Sequence, residues 1–255
     1  MSSILDAAHD GRLLRLVMNR PDKRNALNAE LCRELVSHLE RAFRSQPVGA
    51  ILLLGNGKHF CAGMDLSEID TSRTNEITLL HEQLFTIGFR SAKPLVAGVT
   101  GASLGGGMGL VGNCHIVVAH PEATFGLTEI RIGMWPFLVF RALAAGIGER
   151  RVLEMALTGR IFPASEAKEI GLVHEISPDP QARAAEIARN LCQFSPTTIR
   201  SGMEFFAETR GQSWETAGRI ARRIRDEIFS SRDFAEGLRA FREKRPPRWP
   251  SLEGR

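Results

Sequence analysis

Two short stretches hold the residues best suited to build a reaction centre. GKHFCAGMDL (57–66) and GASLGGGMGL (101–110) each follow an apolar run and place small residues where a backbone could come close to a ligand. Two backbone N–H groups aimed at one oxygen stabilise a developing oxyanion or enolate, and low side-chain bulk lets the substrate reach them. A helix starting near Gly106 would add the positive end of its dipole. Glycines after strands also serve simply as tight turns, so spacing alone leaves both uses open. Neither HExxH nor a P-loop occurs. The seven histidines (His9, His38, His59, His81, His115, His120 and His174) are scattered without metal-ligand spacing, and each reads as a surface or internally satisfied residue. No metal site is expected.

The elements that must position these stretches fall into two halves. Residues 1–145 are rich in strand patterns and glycine. RLLRLVMN (12–19), GAILLLGNG (49–57), KPLVAGVTG (93–101) and CHIVVAH (114–120) read as strands, and ATFGLTEI (123–130) as a further one. NAELCRELVSHLERAF reads as a helix, with Leu27, Leu31, Leu35 and Leu39 at helical spacing and Asn28 as its N-cap. Residues 147–245 read as almost wholly helical. In SWETAGRIARRIRDEIF, Trp214, Ala217, Ala221, Ile224 and Ile228 form one stripe that is expected to pack. Strands alternating with helices imply an α/β fold of βα or ββα units around a shared core.

The chain has 255 residues, 43% hydrophobic and 24% charged, which allows a substantial core. Cys32, Cys61, Cys114 and Cys192 are widely spaced, implying a reducing, cytoplasmic compartment and no disulfide framework. The uncharged segment between Lys93 and His115 is long enough to span a bilayer. Its seven glycines favour a buried strand–turn–helix instead, so no membrane association is expected. The net charge of +4 comes largely from RIARRIRDE and REKRPPR, which suit a solvated face, nucleic acid or a phosphate-bearing small molecule.

Six motifs then occur in one order: RPDKRNALN, GNGKHFCAGMDL, GASLGGGMGLVGNCHIVVA, ATFGLTEIRIGMWP, ALTGRIFPASEAKEIGLVHEI and EGLRAFREKRPP. Together they resemble the enoyl-CoA hydratase/isomerase (crotonase) family over residues 11–247. The resemblance implies a crotonase-type spiral of repeated ββα units with a C-terminal helical region. It implies a core carrying the acyl-CoA site over 1–195 and a helical trimerisation region over 196–255. It places the backbone N–H groups of Met64 and Gly106 around a thioester carbonyl, with any side chain at Gly106 crowding the thioester. Family hydratases commonly carry two glutamates. Here position 109 is glycine, and Glu129 matches the second, leaving it as the sole acid/base candidate. An ion pair with Arg131 is the structural alternative for Glu129.

By the same match, Arg24, Ala26, Ala62, Asp65 and Leu66 follow the nucleotide and pantetheine of coenzyme A, which enters as part of the substrate. Phe241 and Lys244 meet the nucleotide of a neighbouring subunit in a trimer or dimer of trimers. Gly109, Trp135 and Phe137 line the acyl pocket. The implied reaction is syn addition of water to a 2-enoyl-CoA. The alternatives are a Δ3,Δ2-enoyl-CoA isomerase using the same glutamate, or a catalytically quiet CoA- or RNA-binding relative. The late basic helices lack an aromatic stacking platform, which argues against nucleic acid. A serine hydrolase built on Ser103 lacks a histidine placed by any motif.

Overall fold

The computed structural model of the chain describes residues 3–68 and 74–253. The chain opens with an antiparallel pair, β1 (Leu5–Asp10) and β2 (Leu13–Met18), followed by α1 (Ala29–Arg44). Asn28 caps α1 as its spacing predicts: its side-chain oxygen accepts from the Leu31 N–H at 3.0 Å. Leu31, Leu35 and Leu39 are buried on one face of the helix. Then come β3 (Ala50–Gly55), α2 (Thr74–Thr86), β4 (Leu95–Val99), β5 (Ala102–Leu104), α3 (Gly106–Asn113), β6 (Ile116–Ala119), β7 (Thr124–Gly126), α4 (Phe137–Ile147) and α5 (Glu149–Thr158). The rest is β8 (Ile161–Pro163), α6 (Ala164–Glu169), β9 (Glu175–Ile176), α7 (Pro180–Leu191), α8 (Pro196–Thr209), α9 (Trp214–Phe229) and α10 (Arg232–Glu243).

The strands form two sheets. The larger has the order β1-β2-β3-β4-β6-β9, parallel from β2 onward, and the smaller is β5-β7-β8. β4–β5–α3 and β6–β7–α4 repeat one pattern: the first strand joins the large sheet, the second joins the small one, and a helix follows. Both faces of the large sheet are covered, which explains why β3 is apolar throughout rather than alternating. Leu52 and Leu54 pack with Ala184 and Ala188 of α7, whereas Ile51 and Leu53 face the main core.

The structure departs from the sequence reading in three places. The region 147–245 contains two strands, and β9 completes the large sheet; at two and three residues, neither is long enough to show a period. β1 and α2 had no strong pattern and were not expected. The α9 stripe packs only in part. Ile224 is buried, but Trp214, the first residue of the helix, is 91% exposed. Among the described residues, no helix is long and apolar enough to cross a membrane.

Candidate active site

The two glycine-bearing stretches meet through two isolated bridges. Cys61 pairs with Ser103 and Met64 with Leu27, both in parallel fashion. The Leu27 N–H donates to Gly63 O at 2.8 Å and the Asp65 N–H to Leu27 O at 3.0 Å. In a parallel bridge those bonds use the residues on either side of Met64, so the N–H of Met64 itself points away from Leu27. Gly106 is the first residue of α3 and its N–H has no acceptor within the helix. A Cβ built on Gly106 would lie 3.6 Å from the Gly63 Cα, so the two segments run side by side. Two backbone N–H groups without an acceptor among the described residues thus come from adjacent stretches, at the positive end of a helix.

Each glycine of the triplet has its own reason. Gly105 adopts φ +50°, ψ −114°, which side chains avoid, and a Cβ there would lie 3.1 Å from Glu129 Oε1. Gly107 lies against the Cys61 carbonyl, where a Cβ cannot fit. At Gly106, which lines the cavity, a Cβ would also press on the Leu27 (3.0 Å) and Phe85 (3.2 Å) side chains, which would have to give by a few tenths of an ångström.

Glu129 opens a short 3-10 turn, Glu129–Ile132, directly after β7. Its carboxyl rests over Gly105, and Oε2 is buried without a hydrogen-bond partner among the described residues. Burial raises its pKa above the ordinary glutamate value, because the charged form loses hydration. No ion pair joins it to Arg131 among the described residues.

The opposite wall is α2, which contributes Ile77, Thr78, His81 and Phe85 to a cavity of about 500 Å3. Ala62, Gly63, Met64, Leu66, Gly105, Gly106 and Glu129 complete one side, and Trp135, Phe137, Leu138 and Val139 another. His81 is the residue that sequence reasoning missed. It is 7% exposed, lies against the Phe85 ring (centroids 5.3 Å apart), and its Nε2 has no partner among the described residues. Burial pushes its imidazole down to about 4, so it stays neutral. Only its separation of four residues from Phe85, one helical turn, was available as a signal.

Gly109 is the clearest correction. It was expected to line the acyl pocket, yet it is buried behind Phe85 and Val139 and does not reach the cavity. A Cβ on Gly109 would lie 2.6 Å from Phe85 Cδ1 and 3.1 Å from Val139 Cγ2. The Phe85 ring therefore fills the space a longer side chain would need. Asn113 locks this arrangement, donating from Nδ2 to Phe85 O (2.7 Å) and Gly109 O (2.9 Å) and accepting from the Gly88 N–H.

The other expected residues divide. Ala62, Leu66, Trp135 and Phe137 line the cavity, with Phe137 at its rim and 72% exposed. Arg24 and Ala26 do not line it, although the Ala62 N–H donates to Arg24 O at 3.0 Å and keeps that segment adjacent. The Asp65 carboxylate is engaged by Arg20 at 2.8 Å and by Ser67, which makes it a brace for the loop. Phe241 (83% exposed) and Lys244 lie outside the cavity. Ser103 sits in GASLG, the spacing of a nucleophile elbow, but it is fully buried within β5. The Cys61 thiol is pushed up to about 12 by burial and is no nucleophile.

Comparison with known proteins places the whole chain. The sequence matches the family described as enoyl-CoA hydratase/isomerase over residues 9–252. It is 35% identical to the mevalonyl-coenzyme A hydratase of Aspergillus fumigatus, covering 93% of this chain and 91% of that one. It is 33% identical to the enoyl-CoA hydratase EchA19 of Mycobacterium tuberculosis, covering 93% and 92%. The crystal structure of an enoyl-CoA hydratase from Bacillus anthracis superposes with a TM-score of 0.92 at 26% identity, over 98% of this chain and all of that one. With its glycine-built backbone donors and its fold both accounted for, this chain belongs to the enoyl-CoA hydratase/isomerase family.

Proposed function

We propose that this enzyme adds water across the double bond of a 2-enoyl-CoA, with Glu129 as its only carboxylate acid/base. The thioester carbonyl sits between the N–H groups of Met64 and Gly106, and the enolate forms there. Each such donor is worth about 3 kcal/mol in the transition state. The water oxygen bonds to C3, the π pair moves into the enolate, and a proton is delivered to C2. The observation that carries this reading is the buried, unpartnered Oε2 of Glu129, held over Gly105 in the cavity that Met64 and Gly106 also line. Its raised pKa suits proton transfer near neutral pH.

The cavity also suggests a substrate class. Apolar residues dominate its walls, and no Lys or Arg is among the described lining residues. This favours a neutral acyl chain over one ending in a carboxylate, which would be buried without a counter-charge. Arg24, Ala26, Ala62 and Leu66 would follow the coenzyme A moiety outward. The exposed Phe241 and Lys244 are free to meet the nucleotide held by a neighbouring copy in a trimer or dimer of trimers.

A second reading is 3-enoyl to 2-enoyl isomerisation, which needs only one carboxylate; the Phe85 ring over Gly109 favours it by leaving no room for another. Incubation with 2-enoyl and 3-enoyl CoA esters, followed by mass and NMR analysis, separates the two. Hydration adds the mass of water, whereas isomerisation leaves mass unchanged. Undiminished turnover in Glu129→Gln would overturn both readings.

A further inference from the structure

Six buried side-chain polar atoms lack hydrogen-bond partners among the described residues, on Arg12 (two), His81, Thr100, Ser103 and Glu129. Only two of them, His81 Nε2 and Glu129 Oε2, belong to residues lining the active-site cavity. Buried polar atoms are nearly always satisfied, so two orphans in one largely apolar cavity point to a polar guest. The guest must be small, because the acyl chain itself offers nothing polar beyond the thioester. Water fits, and water is the co-substrate of the proposed reaction.

We infer that His81 holds the water that adds to the acyl chain, doing from α2 what a carboxylate at position 109 would otherwise do from α3. Resting on the hydratase reading, this deepens it. Phe85 links the two positions. Its ring fills the space above Gly109 and lies against the imidazole one turn earlier, while Asn113 ties the Phe85 and Gly109 carbonyls together. A second carboxylate is thus excluded by the same ring that orients His81. A neutral imidazole with its proton on Nδ1 accepts at Nε2. Nε2 then accepts from the O–H that the product retains, aiming the oxygen at C3. The other O–H breaks and its proton passes to Glu129, which delivers one to C2. His81 takes up no net proton, which suits a side chain that burial keeps neutral.

The test uses two reactions of the same protein: hydration of a 2-enoyl-CoA, and exchange of the α-protons of a saturated acyl-CoA with D2O. Exchange needs Glu129 and the backbone donors but no added water. In His81→Phe, hydration should fall by about 100-fold while exchange stays within about threefold of wild type, in line with the usual weight of one acid/base or water-holding group. His81→Gln, whose amide oxygen can still accept, should retain hydration to within about tenfold. Hydration by His81→Phe within about threefold of wild type would overturn the inference, as would equal loss of both reactions in both variants. A wild-type protein that exchanges but never hydrates would instead overturn the hydratase reading, and this inference with it.

Discussion

One side of the cavity is built from backbone and the other from side chains. The backbone side consists of residues 61–64 and 104–107, positioned by the Leu27–Met64 and Cys61–Ser103 bridges and by glycines that admit close approach. The side-chain side consists of α2 and the segment from Trp135 to Val139. The first holds two N–H groups whose geometry depends on main chain alone. The second sets what fills the cavity, through Phe85, His81 and the apolar rim. In the proposed reaction, charge stabilisation would therefore tolerate changes of residue identity at Met64, whereas selectivity and water placement would depend on particular side chains that no short motif encodes.

The largest effect is expected at Glu129, which lies where the two sides meet. Glu129→Gln should lower turnover by about a thousandfold with acyl-CoA binding retained, measured by steady-state kinetics and calorimetry. Retained turnover would mean that the backbone side works without it.

Next comes the packing of Phe85 against Gly109. Gly109→Glu should destabilise the protein by about 2 kcal/mol through overpacking and should not raise hydration. Adding Phe85→Ala should recover part of that loss by making room. Chemical denaturation of the single and double variants measures both. A Gly109→Glu protein as stable as wild type would show that the ring yields, and that the two sides are less coupled than the geometry indicates.

The two titratable groups among the described residues that line the cavity should respond to pH in opposite senses. Glu129 has a folded pKa above its unfolded value, so its protonated form favours the fold at low pH and that contribution is lost as pH rises through the raised value. Glu129→Gln should therefore gain thermal stability relative to wild type as pH rises from 4.5. His81 is depressed from 6.5 to about 4, so its contribution is present above 6.5 and lost as pH falls toward 4. His81→Phe should become the more stable partner in acid. Melting curves across this range check both signs, and parallel trends would break the comparison.

The smallest effect is expected at the rim. Phe137 is 72% exposed, so Phe137→Ala should leave stability within about 0.5 kcal/mol. It should raise KM for long acyl chains by less than about tenfold, with crotonyl-length esters unaffected.

Much of the backbone side was legible in advance. Asn28 caps its helix, β3 is a buried strand, a helix starts at Gly106, and the glycine triplet marks the close approach of Gly63 and Gly106. These features follow from local constraints: a cap needs one side-chain oxygen, and a crowded backbone needs glycine. Trp135 and Phe137 line the cavity. The short strands β8 and β9 were not legible, because two or three residues display no period and are held by their partners in the sheets.

By itself, the sequence determined the family, the small residues that bring two backbone segments together, and the absence of a carboxylate at position 109. Only the tertiary structure decided what occupies the place of that carboxylate. Phe85 and His81 lie more than twenty residues from Gly109 along the chain, on a helix with no recognisable motif, and reach it only because α2 packs on α3 with Asn113 bridging the two. A missing side chain is written in the chain, but what fills its volume is settled by close packing between distant segments.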